Sequence, residues 1–284
     1  MHLASVDLCA RDVDCSKLNT PLAIYARDAV QMMDEAGVAK GVILSCAYLY
    51  GLDTLKLDSA TVAHFTRAEN EFVAAEVARY PERLIGFLSV DPLQASALNE
   101  IEHWRGSKVL VGIKLHLRAN DVHLSDPEHR QKLRALFALA AREHLPIAIH
   151  VGGFEFNPRE AELFIDEVLP SAGENWVQIA HAAGGMPDKD HAGSLKVFAD
   201  HIERDDPVTR HLLFDVAYVP SPEEDDTVVA ALATQLRRLG MKRLLFASDF
   251  DVITPVTEIG WLKRLGFSPA EMDTLRENCA PWAC

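Results

Sequence analysis

The chain has 284 residues, 49% of them hydrophobic and 25% charged. These are ordinary globular values, and they exclude collagen, coiled coil and wholesale disorder. Lys and Arg number 28 against 42 Asp and Glu, a formal net charge of −14. Such a surface repels phosphate backbones and anionic lipid, so neither nucleic acid nor a membrane is the expected partner. No apolar run is long enough to span a bilayer, and the first residues lack a basic-then-apolar leader pattern, so a cytoplasmic location is expected.

In chain order, short apolar, β-rich runs occupy residues 41–46 (GVILSC), 83–90 (RLIGFLSV), 111–117 (VGIKLHL) and 146–152 (PIAIHVG). Three more follow at 176–183 (WVQIAHAA), 211–219 (HLLFDVAYV) and 243–250 (RLLFASDF). They are mostly continuous rather than alternating, which is how strands buried on both faces read. Helical spacing appears between them, in Val62, Phe65, Phe72, Val73, Val77 and Tyr80, and again in Leu133, Leu136, Phe137 and Ala140. Asn157-Pro158-Arg159-Glu160 and Ser268-Pro269-Ala270-Glu271 each give an N-cap, a proline at the first helical position and a Glu placed to close a capping box.

The strand starts lie 28 to 42 residues apart, one βα unit each, with no Pro/Gly/Ser linker to mark a domain boundary. The pattern predicts one domain over 1–284, a (β/α)₈ TIM barrel whose first strand is missing or mostly missing. A doubly wound open sheet is the rival, but no Gly-rich phosphate loop follows any strand. The five cysteines, Cys9, Cys15, Cys46, Cys279 and Cys284, are odd in number and match no zinc knuckle or disulfide framework. Cys46 reads as a small core residue in a reducing compartment.

Chemistry in a barrel sits at the C-terminal ends of the strands. Those ends carry Lys114 and His116, then His150, His181, Asp215, and Asp249 with Asp251. Two histidines and an aspartate that converge on one point supply the ligands of a catalytic Zn²⁺ with a position left for water. A further His nearby can move protons. Each residue also has a plain reading: a strand-end His satisfied or facing solvent, Asp249 capping a helix, Lys114 snorkelling outward, Asp215 pointing to the helices. The segment 45–57 (SCAYLYGLDTLKL) is long and partly aromatic, placed to cap the barrel mouth. The acidic 220–226 (PSPEEDD) reads as a solvated loop and helix N-terminus.

The runs DEAGVAKGVIL (34–44), YPERLIGFLSVDP (80–92), GIKLH, IAIHVGG, IAHAAGG, FASDF and RENCA (276–280) together resemble the amidohydrolase superfamily. The likeness is to its amidohydrolase-2 branch, which includes aminocarboxymuconate-semialdehyde decarboxylase. The resemblance implies the barrel, one divalent metal ion, Zn²⁺ or Mn²⁺, and a small anionic substrate. It implies His150 as a metal ligand, His181 as the residue that activates water or otherwise moves protons, and Asp249 as ligand or proton acceptor. Lys114 and His116 would then face an anionic substrate group, and a homodimer is a reasonable assembly.

The family opens with Asp-x-His-x-His at the end of strand one, whereas this chain opens Met1-His2-Leu3, which resembles the tail of that motif. His2 then stands as its second histidine and a metal ligand, with the first helix following at about 20–36. Either the strand and first His lie upstream of Met1 or the chain lacks strand one, and the upstream start is the expectation. Three functions stay open: a metal-dependent hydrolase of a small carboxylated or cyclic substrate, a decarboxylase of an unsaturated acid, and a catalytically impaired barrel.

Overall fold

The structure, a computed structural model, describes residues 2–3, 24–152, 156–184, 191–250 and 252–284, with the backbone alone for His2 and Leu3. Eight strands follow the chain: β1 (His2–Leu3), β2 (Gly41–Ser45), β3 (Leu84–Ser89), β4 (Leu110–His116), β5 (Ile147–His150), β6 (Val177–Ile179), β7 (Leu212–Asp215) and β8 (Leu244–Leu245). They form one sheet in the order β1 to β8, every neighbour parallel. The helices between them are α1 (Ala26–Ala36), α2 (Ser59–Val77), α3 (Ala97–His103), α4 (Pro127–Arg142), α5 (Pro158–Leu163), α6 (His191–Glu203) and α7 (Asp226–Leu239). After β8 come α8 (Pro255–Leu262) and α9 (Pro269–Glu277). Parallel strands in sequential order with helical crossovers make the (β/α)₈ barrel.

Each expected strand begins within one residue of its apolar run. The first strand is short rather than missing, since His2 pairs with Leu44 and Leu3 with Ser45. Helix starts follow their caps. Asn157 accepts from the backbone N–H of Arg159 and Glu160, and Ser268 with Glu271 closes the expected capping box. Within the acidic stretch the carboxylate of Asp225 caps α7.

Side chains alternate along β4, so Gly112, Lys114 and His116 share one face while Ile113 and Leu115 pack outward against the helices. Phe87 of β3 lies beside Gly112, and a Cβ on Gly112 would sit 2.4 Å from the Phe87 ring. Trp282 reaches that ring at 5.9 Å between centroids. With Ala280 it packs against Leu213, Leu245 and Trp176. The C-terminal residues thus close the end of the barrel opposite His116. In the same segment Cys279 and Cys284 pair as a disulfide, contrary to the reading that found no disulfide spacing. A five-residue separation closes so short a loop that no cysteine framework announces it. Cys46 is buried, as expected of a small core residue.

Candidate active site

The register of β4 on β5 sets His116 opposite His150, and paired residues on parallel strands project to the same face. Their imidazoles stack, with centroids 3.9 Å apart and planes 16° from parallel. The His181 ring meets His150 edge-on at 4.8 Å. On the other side the Tyr48 ring lies 4.9 Å from His116, and the Tyr48 carbonyl accepts from Asn120 Nδ2 at 2.8 Å. The loop after β2 therefore does fold over the mouth, by two short 3₁₀ turns at Ala47–Gly51 and Asp53–Leu55. The backbone N–H of Ala119 donates to His116 Nδ1 at 3.2 Å, so in the neutral ring the proton is on Nε2.

Lys114 is 2% exposed. Burial lowers its ammonium pKa, against the opposing charges of Asp249 and Asp215, which favour the cation. The His150 pKa lies well below the ordinary imidazole range, first through burial and then through the charges of His116, His181 and Lys114. His150 is thus a neutral imidazole at physiological pH. Its Nε2 is sealed from solvent and has no hydrogen-bond partner among the described residues.

β6 ends at Ile179, and the next residues leave the extended region: His181, Ala182 and Ala183 have φ of 53°, 47° and 65°. The Asp215 carboxylate at the end of β7 accepts the backbone N–H of His181 at 2.9 Å through Oδ1. It also accepts Gln178 Nε2 at 2.7 Å through Oδ2 and the Ala217 N–H at 3.2 Å through Oδ1. Asp215 thus ties β6 and β7 together at the level of the site. The His181 ring donates Nδ1–H to the Ala217 carbonyl at 3.0 Å. A carbonyl only accepts, so the Nε2 lone pair of neutral His181 is left for chemistry.

Asp249 follows β8 at a left-handed φ of 51°, and its carbonyl accepts from Val252 at 2.8 Å. Behind it the sequence reading overlooked Glu258, in the first turn of α8. Its carboxyl has no exposed surface, accepts the Tyr218 N–H at 2.9 Å through Oε2, and leaves Oε1 without a partner among the described residues. Burial, reinforced by Asp215 and Asp249 and opposed by N–H donors from Tyr218 and Val219, pushes its pKa up to about 8. The only sequence signal was a Glu one turn beyond the Asp249 motif.

Of the residues singled out in the sequence, Lys114, His116, His150, His181 and Asp249 act on one another within one barrel end. His2 enters that sheet through β1, but its side chain and Asp251 lie outside the described residues. The donors His150 Nε2 and Asp249 suit a divalent ion, because a sealed neutral imidazole nitrogen without a partner is completed by one. One compact trio of potential ligands occurs elsewhere among the described residues, Glu162, Asp166 and His201. It lies in the helical layer, and both His201 nitrogens already face carboxylates, Glu162 at 2.9 Å and Asp206 at 2.7 Å.

The sequence matches the amidohydrolase family over residues 13–278. The chain belongs to the amidohydrolase family. This amidohydrolase-family enzyme shares its fold with a 5-carboxyvanillate decarboxylase from Sphingomonas paucimobilis at TM-score 0.65 and 16% identity, covering 94% of this chain and 84% of that one. A 2,6-dihydroxybenzoate decarboxylase from Rhizobium matches at TM-score 0.61 and 14% identity, over 96% and 93% of the two chains. A dihydroxybenzoic acid decarboxylase from Polaromonas sp. JS666, with bound manganese and the inhibitor 2-nitroresorcinol, matches at TM-score 0.61 and 16% identity, over 96% and 92%. No curated protein matches the chain in sequence. Among the described residues no helix is long and apolar enough to cross a membrane.

Proposed function

We propose that this amidohydrolase-family protein is a metal-dependent decarboxylase of a small, planar, unsaturated carboxylic acid. The observation that carries the reading is the imidazole cluster, His116 stacked on His150 and His181 edge-on to it, beside the buried Lys114. Flat rings suit a planar substrate, and an amine at the floor suits its anionic group. Support also comes from the activities of the three structural neighbours, all decarboxylases, two of them of dihydroxybenzoates.

His150 and Asp249 would hold the metal, manganese or zinc, with His2 as a further ligand. A divalent ion bound there supplies Lewis acidity toward a substrate oxygen or a water. The protein's own residues do the rest. Lys114 attracts the anionic group and orients the ring. Decarboxylation needs a proton delivered to the carbon that bears the carboxylate, where it takes up the π pair of that carbon's double bond; the C–C bond then breaks, its electron pair restores the double bond, and CO₂ leaves. His181 is the proton carrier: Ala217 holds Nδ1–H and so directs Nε2 at the substrate, and Nε2 takes a proton from solvent and delivers it to the substrate carbon from the imidazolium.

Hydrolysis of a lactone, amide or imine is the second reading, in which His181 Nε2 takes a proton from the attacking water. Purified protein loaded with Mn²⁺ or Zn²⁺ and given 2,6-dihydroxybenzoate, 5-carboxyvanillate and a panel of lactones separates the two. Release of CO₂ that depends on metal and vanishes in His181→Ala supports decarboxylation. Ring opening of a lactone without CO₂ release moves the assignment to hydrolysis, and no turnover of either class with metal bound sinks both.

A further inference from the structure

The three left-handed residues that carry His181 are unfavourable for any side chain with a Cβ. Such a run persists only where its surroundings over-determine it. Asp215 holds the first N–H of the run. The peptide between Ala182 and Ala183 is held by His191, the first residue of α6, to which the sequence reading assigned no chemistry. Its Nε2 donates to the Ala182 carbonyl at 3.0 Å. The ring lies flat on Gly184, where an added Cβ would sit 2.3 Å from Cε1 and 2.5 Å from Nε2. The glycine of the HAAGG motif is therefore there for close approach of this imidazole, its own φ of −94° being open to any residue.

The far side of the ring is fixed as well. His191 Nδ1 faces Glu224 Oε1 across 3.6 Å, and Glu224 Oε2 accepts the Ser221 N–H at 2.9 Å. The ring is 4% exposed, so water does not compete for the Ala182 carbonyl. The loop after β7 thereby grips the loop after β6 twice, at Ala217 through the His181 ring and at Glu224 through His191.

We propose that His191 is a positioning residue for proton transfer at His181. By fixing the Ala182 peptide it holds the left-handed run, and with it the direction of the His181 ring: Nδ1–H toward Ala217, Nε2 toward the mouth. This rests on the reading in which His181 moves the proton. His191 does not touch substrate.

The test uses the full chain loaded with diamagnetic Zn²⁺ and labelled with ¹⁵N in its histidine rings. The His181 signals are assigned by their loss in His181→Gln. In the native protein His181 shows the single Nδ1–H tautomer. In His191→Leu that pattern averages toward a mixture, and kcat falls about tenfold or more while KM stays within about twofold, as misplacement of one reacting group requires. His191→Gln retains an amide donor for Ala182 and restores most of both signals. Gly184→Ala evicts the ring from the other side and reproduces His191→Leu, which keeps the test alive if that variant does not fold. A native His181 spectrum and kcat in His191→Leu overturn the proposal, and so does a Gln variant as impaired as Leu, which leaves His191 a packing role only. If the native protein decarboxylates no acid, the reaction assigned above fails, while the His181 spectrum still decides the role of His191.

Discussion

The imidazole of His116 lies on that of His150, 3.9 Å away and 16° from parallel, because β4 and β5 pair those two residues in register. One face of the His150 ring, whose Nε2 has no partner among the described residues, is thus covered by another ring, and His181 meets it edge-on. A ring so packed keeps one orientation, and its neighbours set its charge state as well as its direction.

His116→Ala is expected to weaken Mn²⁺ binding by about tenfold, the low end of what losing the support behind a metal ligand does. His116→Phe, which keeps a flat ring against His150, is expected to bind within about threefold of the native protein if packing is what matters. Titration calorimetry with Mn²⁺ reads both. Native affinity in His116→Ala would show that the stack does nothing for His150.

Asp215 accepts three hydrogen bonds, from His181 N, Ala217 N and Gln178 Nε2, in a buried setting. Asp215→Ala leaves those donors without an acceptor and is expected to destabilise the fold by about 3 kcal/mol. Asp215→Asn, which keeps one acceptor oxygen, should lose less. Urea unfolding measures the difference, and a loss below about 1 kcal/mol in the Ala variant would mean that water replaces the carboxylate.

The strands were legible because each is a continuous apolar run between turn residues, and their starts fell within a residue of the structure. Their ends were not. The runs at 176–183, 211–219 and 243–250 read as strand to the last residue, yet β6, β7 and β8 stop at Ile179, Asp215 and Leu245. Beyond those points His181–Ala183, Tyr218 and Asp249 all turn to positive φ. Hydropathy is blind to that change, since Ala-His-Ala-Ala is as apolar in a left-handed turn as in a strand. The site residues on the strands, Lys114, His116 and His150, could be placed because they stand at the C-terminal ends of apolar runs. His191 and Glu258 could not, because each reaches the site from a helix by a tertiary contact.

Gly112 has no room for a side chain: the Phe87 ring occupies the Cβ position at 2.4 Å and is backed by Trp282. Gly112→Ala is expected to destabilise by about 1–3 kcal/mol, the usual consequence of overpacking a filled core. Combining it with Phe87→Leu should recover part of that loss. Strict additivity of the two changes in urea unfolding would show that the ring is not what excludes the methyl group.

Glu258 makes stability depend on pH in a direction opposite to that of an ordinary ion-paired carboxylate. Its folded pKa is raised to about 8 by burial, whereas an unfolded Glu titrates near about 4.3. Between those values the folded protein holds a proton that the unfolded chain has released, so the folded state binds more protons and stability falls with rising pH. The contribution is complete below about 4.3, declines through the neutral range and levels off above about 8. Glu258→Gln keeps a neutral, hydrogen-bonding side chain of the same shape and does not titrate. The variant is therefore expected to match the native protein near pH 5 and to exceed it at pH 9, by an amount on the order of 4 kcal/mol. Urea unfolding of the metal-free proteins at pH 5, 7 and 9 isolates the effect as the difference between the two. A difference that does not change between pH 5 and pH 9 would mean that Glu258 is ionised throughout, its Oε1 then solvated by water that reaches behind Asp249.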